Sequence, residues 1–176
     1  MSKITWALDP THSEVGFKVK HLMITNVSGS FSKFNAEVSS EDETFAKAEI
    51  VFSADIDSIS TNNEQRDGHL KSPDFFDAAN HPQLIIKADG LTGEGENRKM
   101  NGTLTMRGVT HPVAFNVDFG GVAKDPWGNT KAGFTLTGTI NRKDFGLNWN
   151  APTEAGGLLV SEDVRLHAEI QLVKQA

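Results

Sequence analysis

The stretch DVRLHAEIQL, residues 163–172, decides the fold. Val164, Leu166, Ala168, Ile170 and Leu172 fall on one face, and Asp163, Arg165, His167, Glu169 and Gln171 on the other. Successive side chains of a strand point to opposite faces, so this is a strand with one apolar and one wetted side. At ~3.3 Å per residue it spans ~33 Å, longer than the usual five or six residues. Several such strands together line a deep apolar interior, of a depth that suits a long apolar guest.

The same alternation recurs upstream. Ile4, Trp6 and Leu8 form a short strand closed by Asp9-Pro10, and Val15, Phe17, Val19 and His21 form the next. Val27-Gly29-Phe31 and Phe34-Ala36-Val38 follow with a parity flip across Ser32-Lys33, the signature of a β-bulge. Ala46 to Ala54, Leu84-Ile86-Ala88, Met100 to Met106, Val113 to Phe119 and Ala132 to Ile140 complete about nine strands before and including the last. Asp89-Gly90, Gly93 to Asn97, Arg107-Gly108, and Gly120-Gly121 leading to residues 125–129 read as turns between them. Strands this long are safest in a sheet closed on itself, which favours an all-β, mainly antiparallel barrel over a sandwich. Small inward residues (Ala48, Ala54, Gly102, Ala132, Gly138 and Ala168) either leave room inside it or form the taper of a solid core.

One stretch departs from the pattern. In TNNEQRDGHLKSPDFFDAANH, residues 61–81, Asn62 or Asn63 can cap a short helix over residues 64–71, and Ser72-Pro73 stops it. Phe75-Phe76 then sits in a second short turn. Such an excursion lids one end of the barrel.

A chain of 176 residues is read as one domain, residues 1–176. Net charge is −6 with both signs interspersed, which excludes the basic stripe of a nucleic-acid binder. There is no cysteine, hence no disulfide, thiolate nucleophile or cysteine zinc site. Neither a signal-peptide run nor a membrane-span run of apolar residues is present, so the chain reads as cytoplasmic, or as periplasmic if a leader was removed. Eleven Phe, three Trp and no Tyr favour a Phe-rich interior over a polar-ligand surface.

Nothing in the residues themselves carries catalysis. Arg66 and His69 share a helix face while Asp67 points elsewhere, and the expectation is that Arg66 and Asp67 pair with strand ends and His69 with a loop carbonyl. The six histidines show no metal-ligand spacing. His167 belongs to an outward face. His21 ends an inward register, where it either meets a head group at a barrel mouth or bonds to backbone. No Gly-rich piece has the context of a phosphate loop, and no Ser that of a nucleophile elbow.

Several blocks, in order, resemble the YceI-like family, the polyisoprenoid-binding, lipocalin-like bacterial domain. WALDPTHSEVGFKVKH resembles its Asp-x-x-His-Ser-x-Val-x-Phe-x-Val-x-His signature, and GSFSKFNAEV its Gly-x-Phe-x-x-Phe stretch. SISTNNEQRDGHLKSPDFFDAANHP is the most specific block, followed by GTLTMRGVTHPV, GFTLTGTINRKDFGL and SEDVRLHAEIQL. The likeness runs from residue 5 to residue 173. Asn35 stands where the family often has Gly, and the export leader of many members is not seen. The resemblance implies an extended eight-stranded antiparallel lipocalin-like barrel with a helical segment at one end. It further implies a tunnel for a long lipid such as an isoprenoid quinone. His12, His21, Arg66, Asp67, His69, Arg142 and Asp144 match family positions, with no catalytic role implied.

Residues and resemblance converge on a non-enzymatic carrier, with no cofactor, that sequesters an isoprenoid quinone, polyprenyl or fatty-acyl lipid. From strand parity the tunnel lining is expected to include Phe17, Val19, Phe31, Ile50, Phe52, Ile86 and Leu104. Phe115, Phe119, Phe134, Ile140, Leu166 and Ile170 continue it, with His21 or Trp149 near a mouth. Transient membrane contact is compatible with this reading. Related barrels often pair, which leaves a homodimer open. The runner-up is a stress-related interaction domain with a filled core, whose loops 125–130 and 149–159 bind a protein partner.

Overall fold

A computed structural model describes residues 3–22, 24–147 and 160–175. Among them, twelve strand segments form one antiparallel sheet. They are β1 (Ile4–Leu8), β2 (Glu14–His21), β3 (Thr25–Phe31), β4 (Phe34–Ser40), β5 (Ala48–Asp55) and β6 (Ile59–Ser60). After the helix α1 (Glu64–Lys71) come β7 (Gln83–Ala88), β8 (Thr92–Glu94), β9 (Asn97–Met106), β10 (Val109–Lys124), β11 (Thr130–Asn141) and β12 (Val160–Lys174).

The ring runs β1-β4-β5-β7-β9-β10-β11-β12 and closes where Trp6 to Leu8 pair with Lys174 to Leu172. The long strand β12 explains the extra segments. Its C-terminal end pairs with β1 and the rest with β2, so β1 and β2 are two halves of one barrel position. Likewise β4 lies against β1 and β3 against β2. The eight positions expected for the closed barrel are therefore present, two of them broken in mid-course.

Each break has a local cause. Pro10 cannot donate to a ladder, and the 3₁₀ turn Pro10–His12 it opens is held by Asp9, whose carboxylate accepts from the Thr11 amide. Ser13 Oγ donates to the Asp9 carbonyl and accepts from the Gln171 amide, pinning the turn to β12. At Ser32-Lys33 the chain leaves the partner β2 for β1, so the parity flip marks a bend between two segments. Arg107 and Gly108, both with positive φ, make the two-residue hairpin between β9 and β10. Gly120-Gly121 is not a turn. It is a bulge inside the 16-residue β10, and the turn itself falls at residues 125–129, where Asp125 accepts from the Trp127 and Asn129 amides.

The helix forms where expected. Asn63 caps α1 by accepting from the Arg66 amide, and Ser72 follows its last residue. None of its side chains is fully buried.

Aromatic side chains close the barrel floor at the end away from α1. Phe45 reaches in from the β4–β5 connection and packs against Trp6 at 5.0 Å between centroids. It meets Phe134 edge-on at 5.0 Å, and Phe119 stacks on Phe134 at 5.1 Å. Trp6 satisfies its buried indole N–H on Ser40 Oγ at 2.9 Å.

Candidate functional site: two chambers in the barrel

Above this floor the interior holds two adjoining chambers. The inner chamber, about 140 Å³, is lined by apolar side chains from Val38 and Leu172 up to Phe17 and Leu166, with Gly16 and His167 touching its wall. The outer chamber, about 460 Å³, lies between the barrel mouth and α1. Phe17, Phe31, Leu84, Met106, Ile140 and Leu166 line both and form the waist between them. The outer chamber alone falls in the range of ordinary small-molecule sites, ~300–1,000 Å³.

Rings lie over glycines at the waist and in the inner chamber. On one row across the sheet, Gly29 pairs with Phe17, Phe17 with Leu166, and Leu166 with Gly138. The Phe17 ring sits over Gly29, and the Phe115 ring over Gly138. Of the small inward residues expected to leave room, Ala168 does line the inner chamber. Gly138 is covered by Phe115, and Gly102 serves the close approach of the Lys87 carbonyl.

Polar groups are confined to the outer chamber. From α1 and the turn before it come Thr61, Asn63, Gln65, Arg66 and His69, and from the barrel rim His21 and Arg142. Arg66 Nε donates to Thr61 Oγ1 at 2.7 Å and Nη2 to the Thr61 carbonyl at 2.6 Å. Asp67 accepts from both the amide and the hydroxyl of Thr61. Both therefore tie the helix back to the end of β6, as expected. His69 Nε2 lies 2.9 Å from the Asp74 carboxylate, and its ring meets Phe75 edge-on.

Arg142 is 3 % exposed. It donates to the backbone carbonyls of Ser161 (2.9 Å) and Leu147 (2.6 Å), holding the 3₁₀ turn Arg142–Phe145 against the start of β12. Burial pushes its guanidinium below the usual arginine value, and the Glu162 charge acts in the opposite sense. Glu162 itself is bonded to Lys143 at 2.8 Å.

Ile50, Phe52, Ile86, Leu104, Phe115, Phe134 and Ile170 line the inner chamber, and Val19 and His21 the outer. Phe17, Phe31, Ile140 and Leu166 line both. Phe119 lines neither. It points inward but lies in the floor cluster, stacked on Phe134 with the Arg98 guanidinium over its ring. Trp149 lies outside the described residues. Parity missed Phe45, which sits in a loop at φ +61°, and Leu91, also between strands. It also missed the α1 side of the outer chamber, for which the lid-like excursion was the available signal. His167 is on the outer face beside Glu169, as its parity requires.

A closed antiparallel barrel with an apolar cavity and a polar mouth defines the lipocalin-like class of ligand-holding barrels. Residues 6–172 match the YceI-like domain, and the chain belongs to that family. It is 37% identical over 167 residues to UPF0312 protein SA2479 of Staphylococcus aureus (strain N315), covering 94% of this chain and 95% of that protein. Among solved structures, the YCEI protein of Campylobacter jejuni superposes with a TM-score of 0.75 at 32% identity, over 89% of this chain and 90% of that one. A polyisoprenoid-binding domain from Saccharophagus degradans has the same fold at 15% identity, with a TM-score of 0.70 over 97% and 98% of the two chains.

Proposed function

We propose that this protein binds a long-chain amphiphile, an isoprenoid quinone, polyprenyl or fatty-acyl compound, with its tail in the inner chamber and its head in the outer one. The carrying observation is an apolar chamber that adjoins a chamber with a polar wall, with six lining residues in common. The fold shared with the polyisoprenoid-binding domain of Saccharophagus degradans is consistent with this reading.

Burying each methylene is worth ~0.8 kcal/mol against water. The competitor is the bilayer, as apolar as the chamber, so transfer from membrane to protein is nearly neutral in hydrophobic terms. Selectivity then comes from chamber length, the waist and the head-group contacts. Such a carrier must meet a membrane. Leu22 and Ile24, exposed at the tip of the β2–β3 hairpin beside His21, are the apolar groups placed to touch it. Sequestration or transport needs no chemistry on the guest, so the role is binding and not turnover.

Organic extraction of the natively purified protein followed by mass spectrometry tests the reading. A stoichiometric long-chain amphiphile is expected. Repeated extracts free of lipid, together with no uptake of added amphiphiles, would sink it and leave the second reading, partner binding through the exposed Trp127 at the β10–β11 turn.

A further inference from the structure

We infer that the outer chamber selects amphiphiles whose head group is an oxyanion, a carboxylate or a phosphate, over neutral heads on the same tail. The inference rests on the carrier reading and adds the chemistry of the head.

The charge of the lining runs against that of the chain. The protein is net −6, yet no Asp or Glu is among the described residues that line the outer chamber. Its ionisable lining residues are Lys20, His21, Arg66, His69 and Arg142, and its neutral polar ones Thr61, Asn63 and Gln65. Strand parity turns the Lys20 side chain to the outer face, so the relevant cations are the two arginines. They enter from opposite walls, Arg66 from α1 and Arg142 from the turn after β11.

Glu64 and Asp144, each two residues from an arginine, are exposed and do not line the chamber, and three further carboxylates nearby are engaged. Asp67 is bonded to Thr61, Asp74 to His69, and Glu162 to Lys143. Arg66 spends Nε and Nη2 on Thr61, and its Nη1 has no partner among the described residues. Thr61 thus fixes the guanidinium while leaving its outer edge for a ligand. A planar guanidinium matches the paired oxygens of a carboxylate or phosphate, and hydrogen bonds to an ionised acceptor are roughly twice as strong as neutral ones. Below the arginines the wall turns apolar at the waist of Phe17, Phe31 and Ile140, so a head held at Arg66 sets its tail into the barrel.

The test uses the full chain stripped of co-purified lipid and two pairs of ligands matched in tail. Palmitate is set against hexadecanol, and geranylgeranyl phosphate against geranylgeraniol, each displacing a neutral apolar fluorophore below its aggregation limit. The acidic member of at least one pair is expected to bind about tenfold tighter, and the pair that shows the preference identifies carboxylate or phosphate. R66Q should bring the acid-to-alcohol ratio close to one, whatever it does to the binding of both heads, and R66K should restore part of the ratio. Both variants are checked by thermal unfolding, and the comparison of heads within one variant is insensitive to a general loss of fold. Alcohols binding as well as their acids in the native protein would overturn the inference and leave the carrier intact. No binding in either pair would remove the carrier reading itself.

Discussion

The Phe17 ring lies over Gly29 on the neighbouring strand, so close that a Cβ at Gly29 would stand 2.3 Å from Phe17 Cζ. The ring would have to shift, and it is part of the waist. G29A should therefore cost about 1–3 kcal/mol, as overpacked sites do, and narrow the passage between the chambers. Urea unfolding reads the first effect. The second is read by weaker uptake of a long-tailed fluorescent lipid with unchanged uptake of a short one.

Phe45 closes the floor from a left-handed backbone conformation, packed against Trp6, Phe119 and Phe134. F45A should lower stability by about 3–5 kcal/mol and deepen the inner chamber. In a series of amphiphiles of increasing tail length, the optimum should move to longer tails. An unmoved optimum would mean that the floor does not set the length.

Arg107 joins two parts of the mouth, donating from Nη1 to the Gly146 carbonyl and from Nη2 to the Pro73 carbonyl. Removing it in R107A should cost about 1 kcal/mol globally. Amide exchange should quicken in residues 61–82 and 142–147 and stay slow in the barrel strands, and bound probe should leave faster.

At the break between β1 and β2, Asp9 takes Lys131 at 2.5 Å and His12 at 2.8 Å. The hydrogen bond from Lys131, then that from His12, hold its carboxyl well below the usual carboxylate range. A depressed folded-state value adds stability above the unfolded-state value of about 3.9, and that stability is lost as pH falls below it. D9N should be destabilised by about 1–3 kcal/mol at pH 7, and the gap to the native protein should shrink steadily below pH ~4. Urea midpoints at several pH values measure both. A gap independent of pH would show that packing, not charge, is what Asp9 supplies.

Ile24 is 77 % exposed at the hairpin tip beside the outer chamber. I24D should reduce co-sedimentation with phospholipid vesicles several-fold and slow lipid uptake from them, while binding of lipid added from solvent stays unchanged. Equal sedimentation of both proteins would remove this tip as the membrane contact.

What could be read in the sequence was what period two controls. Residues 163–172 give the inward face of β12, and Asn63 with Ser72-Pro73 brackets α1, because alternation and capping are local. What escaped depends on distant partners. Nothing near Asp9 tells that β12 is long enough to pair with both β1 and β2. Gly120-Gly121 has the composition of a turn, but the ladder to β11 continues through it. Phe119 has the inward parity of Phe115, yet depth along the barrel puts it in the floor, and parity carries no depth. The arginines could be named but not aimed, since Arg66 and Arg142 meet the same chamber only after α1 folds back over the mouth.

Trp6, Phe45 and Phe134 make the cavity a cul-de-sac. A molecule that goes in tail foremost has to back out the way it came, head leading. For the carrier proposed above, donor and acceptor would share that doorway, and loading and delivery would exclude each other in time.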